Sequence, residues 1–458
     1  MKIIIVGAGR VGASLAESLV SEHNDITLID PDPNVLADLQ DRYDLRTIAG
    51  NGALPRVLKQ AGAEDADMLV AVTRSDETNL VACRMAALMF NVPRRIARVR
   101  SPEMMEQAHL HGDEGFNVDH VICPEQSVTN HIERLIEFPD ALQVLDFADG
   151  KVTLVSVRAY AGGPLVSHPI EEIRKHLPKV DVRIVALFRE NQPVAVEGYT
   201  MIQPGDEVFC LSATEHVRTV MAELRRISKP VTKVMIAGGG NIGLRLAKSL
   251  EENYQVKVID ADRKRCEDLA NQLGSRTLVL YGDATDEDLL AEENVQDVDT
   301  FIALTNDDEN NIMSSLLAKR MGARRVIALI QRKVYAELVQ GGQIDIALAP
   351  SNATLSELLK HIRRGDVVAV HRLRRGVAEA IETIAHGDSK SSKVVGRAIE
   401  KIDMPKGAVI GAIVRGDKVI MAHHDTVIEA EDHIITFVEN RKLVPQVEKL
   451  FQVGVGFI

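Results

Sequence analysis

Two glycine-rich loops hold the most specific chemistry in the chain. Gly7-Ala8-Gly9-Arg10-Val11-Gly12 follows the apolar run Lys2–Val6, and Gly238-Gly239-Gly240-Asn241-Ile242-Gly243 follows Lys233–Ala237. In a G-x-G-x-x-G loop between strand and helix, the first glycine permits a tight turn. The second lets the backbone approach a pyrophosphate, and the third lets helix and strand pack closely. The helix that opens there offers unpaired N–H groups and a partial positive charge to the anion. Each loop has an acid at the distance the motif requires: Asp30 ends the run 26–30, and Asp260 ends the run 256–260. Such a carboxylate accepts from both ribose hydroxyls and repels a 2′-phosphate, so NAD(H) or an unphosphorylated adenosine is favoured over NADP(H). The plainer reading is an acid that starts the next turn. Asp262 joins Asp260 as a candidate, and Arg263 and Lys264 weaken the preference for NAD in the second loop.

Further candidates lie at the carboxyl edge of the same sheets, where ligands of open α/β sheets bind. Thr73 and Thr305 close the runs 66–73 and 298–305, and Arg74 follows the first. Each threonine faces the ligand or caps the next helix, and the two roles are compatible. Arg98, within 95–100, reaches a phosphate with its fork or is a solvated strand-end charge. The matching stretch 326–330 has no arginine, so the two sites are expected to differ. No catalytic constellation is found. Hydride transfer needs an acid or base facing the nicotinamide, and no matched His, Lys or Tyr offers itself. An NAD-dependent oxidoreductase with an unrecognised substrate site is therefore the weaker reading. His423-His424-Asp425 and the pair His109/His111 have the wrong count and spacing for a metal site, and the acidic run 283–293 reads as a solvated helix face.

These residues need a scaffold, and the chain supplies it twice. The distance from Gly50 to Thr73 equals that from Gly282 to Thr305, and Asp76-Glu77-Thr78-Asn79 recurs as Asp308-Glu309-Asn310-Asn311. Apolar runs alternate with helical patterns in each unit, which means βαβ units and a doubly wound parallel sheet. After each unit the pattern changes to shorter strands with turn signals at Gly162-Gly163-Pro164, Pro204-Gly205-Asp206, Pro405-Lys406-Gly407 and Arg415-Gly416-Asp417. Residues 185–189 resemble 411–415, and 206–209 resemble 432–435. The organisation is thus α/β: Rossmann-like units at 1–123 and 232–348, each followed by a small α+β module, at 142–227 and 367–453. Helical stretches at 125–136 and 355–362 connect each unit to its module.

Composition bounds the function. The 458 residues carry a formal charge of −12, with 3% aromatics and no Trp. An acidic chain without a basic face or a helix-turn-helix argues against a nucleic-acid partner. The four cysteines form no C-x-x-C pair and read as reduced core residues of a cytosolic protein. No apolar run reaches the ~18 residues of a transmembrane helix.

The unit carrying Gly7–Gly12, Asp30 and 67–79 resembles the nucleotide-binding RCK domain, also called the KTN domain, and residues 142–227 resemble its C-terminal companion. Tandem copies, with Val394-Val395-Gly396-Arg397 and Arg375-Gly376-Val377-Ala378-Glu379-Ala380 in the last module, are similar to the cytosolic subunits of bacterial Trk potassium uptake systems. The resemblance implies a regulator rather than an enzyme. It implies a homo-oligomeric ring, a tetramer of tandem chains, peripheral on the cytoplasmic side of the inner membrane beside a membrane-embedded Trk-type transporter subunit. It implies NAD(H), or ATP and ADP, at the two glycine loops, Asp30, Asp260, Thr73, Thr305 and Arg98. The family's third-strand motif is usually Gly-Asp-Ala. The second half keeps it as Gly282-Asp283-Ala284, whereas the first has Gly50-Asn51-Gly52, so Asn51 stands where Asp283 does.

Overall fold

The computed structural model describes residues 1–452 apart from 21, 23, 340, 341, 364, 365 and 374–376. Arg375 and Gly376 of the last-module motif therefore lie outside the described residues. The chain divides into two compact units, one of residues 1–127 with 351–362, the other of residues 128–350 with 363 onward.

In the first unit, β1 (Lys2–Val6), α1 (Arg10–Val20), β2 (Asp25–Asp30), α2 (Pro33–Arg42), β3 (Arg46–Ala49), α3 (Pro55–Gln60), β4 (Met68–Ala71) and α4 (Asp76–Phe90) alternate. Then come β5 (Arg94–Arg98), α5 (Pro102–Glu106), α6 (Ala108–His111) and β6 (His120–Ile122). The six strands are parallel, in the order β3-β2-β1-β4-β5-β6. Ile3, Ile4, Ile5 and Val6 are all buried, because a central parallel strand is covered on both faces. The strand order reverses between β1 and β4, which opens a crevice at their carboxyl ends. Helix α7 (Pro124–Glu137) starts in this unit and passes into the other.

The second unit continues with β7 (Ala141–Phe147), β8 (Val152–Arg158), α8 (Ile173–His176), β9 (Val182–Arg189), β10 (Gln192–Val194), β11 (Glu207–Ala213) and α9 (Val217–Leu224). A second α/β layer follows: β12 (Lys233–Ala237), α10 (Asn241–Leu250), β13 (Gln255–Asp260), α11 (Arg263–Gln272), β14 (Thr277–Tyr281), α12 (Glu287–Glu292), β15 (Thr300–Ala303), α13 (Asp308–Arg320), β16 (Arg325–Leu329), α14 (Lys333–Val339) and β17 (Ile346–Leu348). Its sheet repeats the first, as β14-β13-β12-β15-β16-β17. Helix α15 (Pro350–Ile362) comes next in the chain but belongs to the first unit, where His361 stacks on His120 of β6 with ring centroids 3.8 Å apart. Burial and the neighbouring His361 hold His120 below the usual histidine range. The last module is β18 (Val367–Leu373), β19 (Ala378–Ile384), β20 (Ala408–Arg415), β21 (Lys418–Met421), β22 (His433–Val438) and α16 (Val444–Phe451).

The two modules form antiparallel sheets, β10-β9-β11-β8-β7 and β18-β19-β22-β20-β21. They share one core, in which Phe147, Phe188 and Phe209 meet Leu373, Ala412, Ile435 and Phe437. Gly411 permits this approach, since a Cβ there would stand 2.3 Å from Leu211 Cδ1. Each module carries a fork. Arg189 donates through Nε and Nη2 to fully buried Asp206 at 2.8 and 2.9 Å, and Arg415 to fully buried Asp432 at 2.8 and 2.8 Å. Buried Arg325 on β16 donates to the carbonyls of Leu135 and Ala141 at 2.8 and 2.6 Å, fixing α7 and β7 to the second α/β sheet. Burial pushes this guanidinium down to about 10, still charged at neutral pH.

Candidate functional site

Each α/β layer builds the same cradle at its strand-order reversal. Gly7 and Gly238 turn through φ +108° and +105°, a region that favours glycine. Their N–H groups donate to Ile29 and Ile259 carbonyls at 2.7 and 2.8 Å, which starts each loop beside the acidic strand. A Cβ on Gly12 would stand 1.8 Å from Gly7 O, and one on Gly243 2.0 Å from Gly238 O. These third glycines therefore serve helix–strand packing. Gly9 and Gly240 differ: an added Cβ meets nothing within 4 Å at either. The backbone there stands open, with the first N–H groups of α1 and α10 behind it, Arg10, Val11 and Gly12 in one and Asn241, Ile242 and Gly243 in the other. Those groups have no partner within their own helix.

Asp30 and Asp260 brace the loops. Asp30 Oδ2 accepts from Ala8 N at 2.7 Å and Oδ1 from Asp32 N at 2.9 Å. Asp260 does the same with Gly239 N at 2.7 Å and Asp262 N at 2.9 Å. The turn-starting role is thus real in both copies, and each carboxylate keeps lone pairs for further donors. Asp262 itself caps α11. The Cys266 thiol donates to Asp260 O at 3.4 Å, and burial and the Asp260 charge hold it above the usual thiol range.

Thr73 and Thr305 lie two residues past their strands, and both are already engaged. Asn79 Oδ1 accepts from Thr73 N and Oγ1 at 2.8 and 2.7 Å, and Asn311 Oδ1 from Thr305 N and Oγ1 at 2.9 and 2.7 Å. The caps of α4 and α13 are Ser75 and Asp307 instead. Arg98 pairs with Glu125 of α7 at 3.3 Å, both largely buried. Exposed Arg74 gives its carbonyl to Arg100.

The third-strand difference has a packing cause. A Cβ on Gly52 would stand 2.2 Å from Val6 Cγ1. In the second half the pair is Ala237 and Ala284, which pack in one core cluster, so volume has moved from one partner to the other. Asn51 and Asp283 both begin turns, accepting from Ala53 N and Thr285 N at 2.9 Å. What remains different is charge. Arg10, Arg74, Arg98 and Arg100 occupy the positions of Asn241, Asn306, Leu329 and Gln331.

Sequence reasoning missed Asn79, Asn311, Asp76, Asp308 and Glu125. The repeated D-x-x-N tetrad was the visible signal for the first four; nothing in the sequence pairs Glu125 with Arg98.

The comparisons with known proteins follow the same tandem plan. Residues 3–124 and 234–350 match the TrkA-N domain, and residues 154–225 and 389–452 match the TrkA-C domain. The chain belongs to the TrkA family. It is 55% identical to Trk system potassium uptake protein TrkA of Vibrio alginolyticus over 459 residues, and 54% identical to that of Halomonas elongata over 457 residues. Both alignments cover 100% of each chain. Among solved structures, the GsuK RCK domain superposes with a TM-score of 0.61 at 15% identity, covering 98% of this chain and 95% of that one. The GsuK channel bound to NAD gives 0.60 at 16% identity, covering 98% and 79%. At such identity the likeness to the GsuK structures is one of fold alone. No described helix is long and apolar enough to cross a membrane.

Proposed function

We propose that this chain is the nucleotide-binding regulatory subunit that gates a membrane-embedded Trk-type potassium uptake transporter. Two sensing halves, 1–123 with 142–227 and 232–348 with 367–453, bind NAD(H) and/or ATP/ADP. The chain works as a homo-oligomeric ring, a tetramer of tandem chains, on the cytoplasmic side of the inner membrane. One observation carries the reading: both halves present the same braced loop with an open second glycine and an acid at the ribose position. A nucleotide then moves the ring only by its difference in affinity for two ring shapes, and a coupling of about 1–3 kcal/mol gives a several-fold change in transport.

Calorimetric titration of the full chain with NADH, NAD, ATP and ADP tests it. Asp30→Ala is expected to remove binding from the first half and Asp260→Ala from the second. Loss of neither would leave the acids as turn braces only, and failure of the unaltered chain to bind any of the four would bring down the nucleotide reading. The arginine imbalance adds a second expectation. ATP affinity in the first half should drop roughly tenfold from about 0.05 to 0.5 M salt, because exposed Arg10 and Arg74 are screened. The second half should change little, and equal slopes would refute the assignment of these arginines to the ligand.

A further inference from the structure

The D-x-x-N tetrad opens α4 and α13 and bonds to the strand-end threonines, and in the first half to the Arg98 carbonyl, without itself being among the residues assigned to the ligand. Its spacing puts the acid and the amide on one helix face. Asp76, Asn79, Asp308 and Asn311 are all buried there, the two asparagines completely.

An asparagine side chain has two donors and an oxygen that accepts twice, and here every one is used, identically in both halves. Oδ1 takes the N–H and hydroxyl of the strand-end threonine, as described above. Asn79 Nδ2 donates to Thr73 O at 3.3 Å and to Arg98 O at 2.9 Å. Asn311 Nδ2 donates to Thr305 O at 3.0 Å and to Leu329 O at 2.8 Å. The acid one turn earlier holds the stretch beyond. Asp76 accepts from Arg100 N and Ser101 N at 2.8 and 2.8 Å, and Asp308 from Gln331 N and Arg332 N at 2.9 and 2.8 Å.

The threonine held in this way is the wall against which the glycine turn closes. The sheet ladder has ended by then, its last bond being Val72 N to Val6 O at 2.8 Å. An added Cβ on Gly7 would stand 3.0 Å from Thr73 N, and one on Gly238 2.9 Å from Thr305 N. Beyond the strand, the amide therefore decides where that backbone sits and fixes it to the neighbouring strand.

We infer that Asn79 and Asn311 are positioning residues of the two nucleotide sites, each setting the strand-end threonine on which its glycine loop rests. This assignment depends on the reading of the clefts as nucleotide sites. The amide touches no ligand and acts through the loop.

ADP binding by the full chain tests it, with Asp260→Ala isolating the first half. Asn79→Asp keeps the acceptor for Thr73 but turns both donations to carbonyls into repulsions. It is expected to weaken ADP at least tenfold in the first half and leave the second half unchanged. Adding Thr73→Ala to Asn79→Asp should cost little more, because both act on one wall. Unchanged ADP affinity in Asn79→Asp, or losses that multiply in the double variant, would overturn the assignment. A purely structural amide would lower the melting temperature without moving the ADP affinity of the folded chain. If Asn79→Asp does not fold, Asn311→Asp makes the same test in the second half, with the first half reporting on the fold. Failure of the unaltered chain to bind ADP or NADH in either half defeats the nucleotide reading itself. Binding that ignores the asparagine defeats only the inference drawn here.

Discussion

Valine at position 9 is expected to abolish nucleotide binding in the first half while leaving the protein folded. Gly9 does not need the left-handed region, and a Cβ built on it meets no atom within 4 Å. The side chain would fill space that the protein leaves open and a pyrophosphate requires. The cost to the fold is limited to a poorer helix start, about 1 kcal/mol. Gly12→Ala is the contrasting variant, because its methyl would stand 1.8 Å from Gly7 O. It should lose roughly 1–3 kcal/mol of stability, as overpacked sites do, and lose binding as a consequence. Heat unfolding and calorimetry on the two variants separate the cases. Gly9→Val with unchanged affinity would mean that no ligand approaches that backbone. Gly240→Val is expected to do the same in the second half.

The second large effect lies away from the clefts. Asp206 is completely buried and is held by the Arg189 fork and by Gln203 N at 2.7 Å. Replacing it with alanine leaves a cavity where the carboxylate was and removes the acceptor of the partly exposed Arg189 fork and of Gln203 N, which costs about 1–3 kcal/mol. The two module sheets share one core, so the loss should not stay in one of them. Hydrogen exchange is expected to rise in β8, β9 and β11 and also in β19, β20 and β22. Faster exchange in the first module alone would show that the sheets open independently.

Much of this was readable from the chain. Period and punctuation locate both α/β layers, and matched spacing exposes the duplication, because a repeated scaffold repeats its glycines and acids. Asp30 and Asp260 were legible for the same reason. Their brace on Ala8 and Gly239 was not, since a backbone partner leaves no residue type to read. Thr73 and Thr305 show the limit most clearly. Their position at the sheet edge is correctly placed, but hydroxyls already held by Asn79 and Asn311 offer a ligand less than their location suggests. Arg98 has its carboxylate 27 residues further on, at a distance no local pattern reports. Gly52 stands where the second half has Ala284. Beside Val6 it is a change in volume, visible only once the two positions are known to touch.

The placement of α15 bears on how the protein is made. Residues 351–362 complete a unit whose other residues end at Ser127, and everything between them belongs elsewhere. A ribosome adding about 5–20 residues per second needs roughly 10–45 s to cross that interval. For that time β6 waits without His361 on His120. The two halves of the sequence look like separable copies, yet neither is a self-sufficient folding cassette. A cut between them would leave the first without its closing helix.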